Sequence, residues 1–491
     1  METPLSNECD AGFRSSIRRG QFFRLSMGKT VLRLGKLGKA EYPWIGLLDR
    51  RDRGVKRAAI VPPAMTRTPW GDATKLRQRR LPPGPANSAA AVEQNQRERL
   101  FAALVATVAE KGYEATRVED LVELSGVSRS AFYKHFADKG ECFLAAVEAL
   151  VEPTLKQISE RSGADEGPAL ARASLGSFLA LLVEQSAAAR MCFVDVYAAG
   201  PRATEVVAAG IASFEEEMLR GLKHLPGREG MPRPIVRAVL GGMQKLISTR
   251  LYRGEEAQLP ELEEAMWEWC LSYLPPPGPL RAPRRRSLHT PSFAERQAAS
   301  TPAERILRAV AVVVADKGYP EMRLSEVVDC AGVSRRTFYQ QFQSKDEALG
   351  AAIDQGSSQM LAAVYPAFRR AGDWAHGVRA ALEAMFSFAA VEPEYTRLGA
   401  DAIYTAGRPA LAQRDRVMAG MEALLAPGAE VNEVGAPAIA AEASGGAVYA
   451  LVRDQVRRKG PANLPEILPL ATYVALVPFI GPERAYEVAC E

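Results

Sequence analysis

The chain has 491 residues, of which 47% are apolar and 24% are charged, and its formal net charge is +4. This length exceeds one ordinary hydrophobic core and, at ~100–200 residues per domain, predicts two or three domains. The apolar fraction excludes a wholly disordered chain. Residues 1–90 hold 18 Lys and Arg against 7 Asp and Glu. The positive charge therefore belongs to this segment, and the overall balance alone does not argue for nucleic-acid binding.

Cysteine spacing and hydropathy indicate the compartment. The six cysteines lie far apart without a CxxC pair, which argues against a disulfide framework or a zinc ribbon and favours a reducing compartment. No apolar run approaches the ~20 residues that span a bilayer. Basic residues interrupt every apolar stretch near the N-terminus, unlike a secretory signal. We therefore expect a soluble, cytoplasmic protein with no membrane partner.

The first segment along the chain, residues 1–90, lacks sustained periodicity and is interrupted by Pro62-Pro63 and Pro82-Pro83. It has no counterpart in the second half of the chain. Because such a segment cannot bury a continuous apolar face, we expect a basic, disordered N-terminal extension.

The next segment predicts two short helices joined by a tight turn. Apolar residues recur at three- and four-residue spacing over residues 100–108. A second apolar helix, marked by Val118, Leu121 and Val122, is predicted to run into Ser125-Gly126-Val127. Gly126 permits the positive φ of a tight turn, and Ser128 is a good N-cap for a helix over 129–136. This order is that of a helix-turn-helix, whose second helix enters the DNA major groove.

The same segment occurs twice. Residues 110–139 and 316–345 align without a gap at an offset of 206, sharing Lys-Gly-Tyr, Gly-Val-Ser-Arg and Phe-Tyr-x-x-Phe. Weaker matches continue downstream, where Gly241-Gly242 corresponds to Gly445-Gly446. The duplicated unit is therefore ~190 residues long. Strand patterns are essentially absent, so the predicted fold is all-α.

The second helix of each helix-turn-helix has an apolar and a polar face. Phe132 and Phe136 are four residues apart and are predicted to pack inward. The first outward set, next to the Ser128 cap, comprises Arg129, Ser130, Tyr133, Lys134 and His135. The second set comprises Arg335, Arg336, Thr337, Tyr339, Gln340 and Gln341. Since Arg pairs with guanine and Gln with adenine, the two helices are predicted to read different sequences.

Residues 95–145 and 301–350 resemble the DNA-binding domain of the TetR (tetracycline-repressor) family of bacterial transcriptional regulators. The resemblance rests on the Gly-Tyr after helix one, the Gly-Val-Ser turn, Phe-Tyr-x-x-Phe and the Lys that opens the next helix. It implies that phosphates are contacted by Thr116, Tyr133, Lys139, Tyr339 and Lys345. It also implies that bases lie near Arg129, Ser130, Lys134, His135, Arg335, Arg336, Thr337, Gln340 and Gln341.

The second copy departs from the first at several of these positions. Met322 replaces Thr116, and Gln340-Gln341 replaces Lys134-His135. We expect this copy to hold the DNA backbone less strongly, since each phosphate contact contributes through counterion release.

The larger part of each unit resembles the family's helical ligand-binding and dimerisation domain. In helical surroundings Gly costs ~1 kcal/mol relative to Ala, a cost that a close helix–helix approach offsets. Gly241, Gly242, Gly445 and Gly446 are therefore candidates for a dimer or pseudo-dimer interface, the alternative being packing within one domain. The candidate pocket residues, which belong to a type found more often in a core than in contact with a ligand, are Phe178, Phe193, Tyr197, Phe386, Phe388 and Tyr404.

The predicted domains follow from these boundaries. They are a basic extension (1–90), a first helix-turn-helix domain (91–145), a first helical regulatory domain (146–274), a Pro/Arg-rich linker (275–300), a second helix-turn-helix domain (301–350) and a second regulatory domain (351–491). The linker's Arg284-Arg285-Arg286 run either touches DNA phosphates or is merely solvated. The four histidines form no metal-ligand motif, and no P-loop, GxSxG or dinucleotide-binding fingerprint is present. We expect no catalysis, cofactor or metal.

The function predicted from this resemblance is a sequence-specific transcriptional regulator in the bacterial cytoplasm, associated with the nucleoid. It is predicted to be a repressor that binds double-stranded DNA and is released by a small-molecule effector. Its two halves are predicted to pair as an internal pseudo-dimer on an asymmetric operator. Two alternatives stay open: that two chains associate, and that the protein is a sensor or interaction module with one or both headpieces inactive on DNA.

Overall fold

The computed structural model describes residues 67–82, 84, 87–162, 168–222, 224–281, 292–400, 407–431 and 433–491. Three predictions lie outside the described residues. They concern disorder over residues 1–66, the Arg284-Arg285-Arg286 run and the pocket candidate Tyr404.

The first half forms a three-helix headpiece followed by a larger helical domain. The headpiece helices are α1 (Ala89–Lys111), α2 (Val118–Ser125) and α3 (Arg129–His135). The larger domain contains α4 (Lys139–Ser162), α5 (Pro168–Glu184), α6 (Ser186–Phe193), α7 (Pro201–Leu222), α8 (Arg233–Arg253) and α9 (Glu263–Ser272).

The second half repeats this order after a short linker helix, α10 (Phe293–Ala298). Its headpiece is α11 (Pro302–Lys317), α12 (Leu324–Ala331) and α13 (Arg335–Gln341). Its larger domain contains α14 (Lys345–Arg370), α15 (Trp374–Val391), α16 (Pro393–Ala400), α17 (Gly407–Leu425), α18 (Gly428–Val431), α19 (Ala440–Lys459) and α20 (Leu468–Cys490). The tandem all-α architecture predicted from the sequence is confirmed.

Local sequence signals place each recognition helix. Gly126 and Gly332 end α2 and α12 with φ of 66° and 61°, the left-handed conformation that favours Gly. Ser128 Oγ then accepts a hydrogen bond from the amide of Ala131 at 3.2 Å. The side chain of Phe132 is fully buried in the headpiece core. The opposite face of α3 is therefore directed away from that core.

Residues 67–82 are folded, so the prediction of disorder is wrong for this part of the extension. Two short antiparallel strands, Arg67–Thr68 and Gly71–Asp72, lead into a 3₁₀ helix over Ala73–Arg79. Leu76 is fully buried, and it packs in one cluster with Ala102 and Ala103 of α1. Sequence periodicity did not reveal this segment, because its few buried residues, such as Ala73 and Leu76, pack on a surface that other helices supply.

The two halves pack against each other through α8 and α19, which form the most extensive contact between any two described helices. Arg250 pairs with Glu442 at 2.6 Å across this contact, and the Trp269 indole donates to Ser444 Oγ at 3.2 Å. Tyr273 OH donates to the Val474 carbonyl at 2.9 Å. Helices of both halves therefore share one hydrophobic core.

One described segment, Pro461–Cys490, is long and apolar enough by length and composition to cross a membrane, with a mean hydropathy of 1.6. Within the structure, 78% of its apolar window is buried. Tyr473, Leu476 and Val477 are fully enclosed by the second regulatory domain and its neighbours. Its apolar character is explained by this role as a core helix.

Candidate nucleic-acid interface

The first recognition helix presents four predicted contact residues to solvent: Arg129, Ser130, Tyr133 and Lys134. Tyr133 is 48% exposed although it is a large aromatic side chain. The Arg129 guanidinium lies 5.7 Å from the centre of the Tyr133 ring and 2.7 Å from the Glu119 carboxylate. Because exposed ion pairs contribute little, exchanging Glu119 for a DNA phosphate or base costs Arg129 little free energy.

The second recognition helix presents a different surface. Its exposed residues are Arg335, Arg336, Tyr339, Gln340 and Gln341, and Tyr339 is 58% exposed. Thr337 is half-buried, and its hydroxyl lies 2.9 Å from that of the Ser334 N-cap. The two Gln side chains supply amide groups where the first copy has Lys134 and His135, and Arg336 stands where the first copy has Ser130. Each helix therefore carries two fixed positive charges, but at different positions.

Thr116 does not expose its hydroxyl, contrary to the contact implied by the family resemblance. The residue is 1% exposed, and Thr116 Oγ1 donates to the carbonyl of Gly112 at 2.8 Å. Met322, the equivalent residue, is buried as well. This position packs inside the headpiece in both copies, so the substitution removes no exposed phosphate donor.

His135 is also not presented to DNA. Its side chain is 6% exposed, and Nε2 lies 2.8 Å from Gln96 Oε1 of α1. Burial lowers the pKa of this imidazole despite the nearby Glu93 carboxylate. Gln96 can cover His135 because α1 is longer at its N-terminus than its counterpart α11. Helix α1 begins seven residues before Gln96, whereas α11 begins at Pro302, the residue equivalent to Gln96. In the second copy Gln341 stays exposed.

Lys139 acts within the headpiece rather than on its surface. Its Nζ donates to the carbonyls of Tyr113 at 2.8 Å, Thr116 at 2.9 Å and Glu114 at 3.2 Å. Burial lowers the pKa of this ammonium group. Lys139, for which the family resemblance implies a phosphate contact, therefore fixes the loop after α1 to the start of α4. Its equivalent in the second copy, Lys345, is exposed beside the Tyr319 ring.

The paired glycines lie where the two halves approach most closely. A Cβ atom on Gly241 would collide with Ala450, and one on Gly242 would lie 2.6 Å from the Ala443 carbonyl oxygen. A Cβ on Gly446 would lie 2.5 Å from Lys245 Cβ. These three glycines therefore allow α8 and α19 to meet. Gly445 differs, because it faces Glu422 of its own half.

The second regulatory domain contains an apolar cavity of about 160 Å³. Phe386 and Phe388, two of the pocket candidates, line it. Sequence analysis missed its four methionines, which adapt readily to ligands of different shape: Met360, Met385, Met418 and Met421. Tyr395 and Tyr449 also line the cavity, and the Tyr449 hydroxyl donates to the Gly399 carbonyl at 3.1 Å.

The three first-half pocket candidates have other neighbours. Phe178 packs against Phe193 with ring centres 6.3 Å apart. Tyr197 OH accepts a hydrogen bond from Gln244 at 2.8 Å, and its ring lies 5.1 Å from the guanidinium of Arg453 in the second half. Tyr197 therefore belongs to the contact between the halves.

Comparison with known proteins agrees with the headpiece geometry. The family model described as bacterial regulatory proteins of the tetR family matches residues 100–146 and 306–352. The chain is 36% identical over 83 residues to the HTH-type transcriptional activator FasR of Mycolicibacterium smegmatis (strain ATCC 700084 / mc(2)155). This alignment covers 17% of the chain and 38% of the relative's length. Each matched range contains one helix-turn-helix.

Proposed function

Because the chain belongs to the TetR family and carries the family's DNA-binding domain twice, we propose that it is a sequence-specific transcriptional regulator. The observation that supports this most strongly is the pair of exposed polar faces on α3 and α13, each held by a buried Phe behind it. Such faces suit the phosphates and base edges of a major groove. The protein would act in the cytoplasm, associated with the nucleoid.

The two halves of one chain act as an internal pseudo-dimer in this proposal. Ordinary dimeric helix-turn-helix regulators place their two recognition helices in major grooves about 34–36 Å apart or a multiple of this. The α8–α19 contact, with its three close glycines and the Arg250–Glu442 pair, supplies the pairing surface within one chain. A molar mass of one chain in solution supports this arrangement, and a mass of two chains supports the four-headpiece alternative.

The operator is proposed to be asymmetric, and equivalent substitutions in the two recognition helices test this. We expect Lys134→Ala to weaken protection of one half-site and Gln340→Ala to weaken the other, each by about 1–3 kcal/mol or roughly 5–150-fold in affinity. Footprinting on the promoter region of the protein's own gene measures both. Arg335→Ala serves as a second probe of α13.

The outcomes of this footprinting separate the hypotheses. Loss of the same half-site in both variants would contradict the asymmetric operator. Unchanged affinity in Gln340→Ala and Arg335→Ala would leave α13 without a role in reading DNA. If the wild-type chain gives no sequence-specific protection on this promoter region, the alternative function as a sensor or interaction module is favoured.

An apolar small molecule bound in the cavity of the second regulatory domain is proposed to act as the effector. The cavity wall includes Tyr395 of α16, whose ring lies 5.4 Å from the guanidinium of Arg308 in the second headpiece. Ligand-dependent movement of α16 would therefore reach α11 directly. We propose that this lowers DNA affinity and relieves repression, with a coupling of ~1–3 kcal/mol.

Filling the cavity tests the effector proposal. Ala389 lines the cavity and is 3% exposed, so Ala389→Leu is expected to occupy part of its volume. With Nile red as an apolar probe, we expect wild-type protein to enhance its fluorescence and Ala389→Leu to lose at least half of that enhancement. Ala362→Leu, on the exposed face of α14, is the matched control. Equal enhancement in all three proteins would contradict the proposed site.

Activation is a second candidate for the direction of regulation, because the relative named above is described as a transcriptional activator. A reporter gene behind the footprinted promoter distinguishes the two. Deleting the regulator raises expression if it represses and lowers expression if it activates.

A further inference from the structure

The folded N-terminal segment, residues 67–82, carries an unusual density of positive charge beside the first helix-turn-helix. It contains five Lys or Arg residues and one acidic residue. The exposed basic side chains are Arg67, Lys75, Arg77, Arg79 and Arg80. The acidic residue, Asp72, is engaged in capping the 3₁₀ helix through Thr74 at 2.9 Å.

Hydrogen bonds fix this basic segment to the headpiece helices. Asn95 of α1 donates to the Arg79 carbonyl at 3.0 Å, and Arg77 donates to the Glu123 carbonyl of α2 at 3.0 Å and 2.5 Å. The Trp70 ring lies 5.0 Å from that of Phe101. The segment is therefore part of the first headpiece and is held in one orientation on it.

The segment borders the turn that leads into the recognition helix. A Cβ atom on Gly126 would lie 2.9 Å from Arg77 Cγ, so the Arg77 stem covers the turn directly before Ser128. Arg99 of α1 reaches the same place and donates to the Ser125 carbonyl at 2.9 Å. Burial and then the charges of Arg80 and Arg79 lower the pKa of the Arg99 guanidinium.

Capping the end of α2 explains only part of this charge. Arg77 and Arg99 bind carbonyls at the C-terminus of α2, where cations are favoured. Lys75 and Arg80 are exposed, and neither joins an ion pair among the described residues. Clustered like charges repel one another unless an anion lies nearby, and DNA supplies a regular row of such anions.

The second headpiece has a different element in the corresponding place. Its linker helix α10 reaches α12 through Gln297, which donates to the Cys330 carbonyl at 3.4 Å. The arginine of α10, Arg296, is directed instead to the buried carboxylate of Glu394, and its side chain is 8% exposed. Helix α10 therefore does not repeat the exposed basic cluster that residues 67–82 place beside the first headpiece.

We propose that residues 67–82 form a second DNA-binding element of the first headpiece, in which Lys75 and Arg80 contact backbone phosphates beside the half-site read by α3. This inference rests on the proposed DNA-binding function and extends it. The two half-sites then differ in length as well as in sequence, because only the first headpiece carries the added contacts. The expected ligand is duplex DNA, recognised through its phosphates without base preference.

The test compares the salt dependence of operator binding by the full chain and by Lys75→Gln/Arg80→Gln. Losing two phosphate contacts is expected to reduce the slope of log K against log salt by about 1.8 and to weaken binding by roughly tenfold per contact near 0.1 M salt. Hydroxyl-radical footprinting is expected to show lost protection only at the outer flank of the first half-site. Preference among operator sequences is expected to stay unchanged.

A matched control removes the same charge elsewhere. Arg369→Gln/Arg370→Gln acts on exposed arginines at the end of α14 in the second regulatory domain, and its slope is expected to remain at the wild-type value. A wild-type slope and footprint in Lys75→Gln/Arg80→Gln would overturn this inference while leaving the proposed function intact. Failure of the wild-type chain to bind operator DNA would instead refute the proposed function.

Discussion

Gly242→Ala is expected to lower the free energy of unfolding by about 2 kcal/mol, although alanine is the better helix former by ~1 kcal/mol. The added methyl group would collide with the Trp269 ring and lie 2.6 Å from the Ala443 carbonyl oxygen. Trp269 is fully buried and the second neighbour is backbone in α19, so neither gives way without separating the helices. Equilibrium urea unfolding measures the change.

The control for this prediction is Gly210→Ala within α7. Nothing lies within 4 Å of a Cβ at Gly210, so this variant is expected to be neutral or up to ~1 kcal/mol more stable. If the α8–α19 contact also sets headpiece spacing, Gly242→Ala weakens operator binding and Gly210→Ala does not. Equal stability of the two variants would contradict the close approach of the halves.

Arg308→Ala is expected to lower the free energy of unfolding by about 3 kcal/mol, because it leaves the largely buried carboxylates of Glu392 and Glu394 without their cation. The Arg308 side chain is 7% exposed and joins the second headpiece to Glu392 at 3.3 Å and Glu394 at 3.6 Å. Burial disfavours the charged guanidinium, but its bonds with Glu392 outweigh this and raise the pKa of Arg308. Urea unfolding followed by circular dichroism measures the loss.

A double variant distinguishes whether Arg308→Ala loses stability through the missing charge or through the missing side-chain volume. Arg308→Met/Glu392→Gln retains much of the buried bulk and removes one charge of each sign, so it is expected to recover at least half of the lost stability. The first half supports this expectation, because Ala102, the equivalent of Arg308, is a fully buried apolar residue. No recovery in the double variant would show that packing of Arg308, rather than its charge, stabilises the junction.

The fold and the location of the DNA-binding surface were predictable from sequence because their signals are local. Gly126 and Gly332 supply the left-handed turn, and Ser128 caps the following helix within three residues. The spacing of Phe132 and Phe136 orients α3 by helical geometry alone. These features recur at a constant offset of 206, so the duplication was equally visible.

The burial of individual polar residues was not predictable in this way, since it depends on elements distant in the chain. His135 is enclosed by the extra turns of α1, and Lys139 binds carbonyls of a loop more than twenty residues before it. Thr116 has a suitable side chain for a phosphate contact, but its hydroxyl is already used within the headpiece. Residue type indicates what a side chain can bind, whereas packing determines whether it is available.

The headpiece helices, their duplication and the polar face of each recognition helix follow from the sequence alone, because caps, turns and periodicity act over a few residues. The tertiary structure was needed to identify the glycines at which the two halves meet, the walls of the apolar cavity and the position of residues 67–82. Each of these depends on the volume left between helices from different parts of the chain. The burial of Leu76 and the small size of Gly242 stabilise the protein only because helices from other parts of the chain pack closely against them.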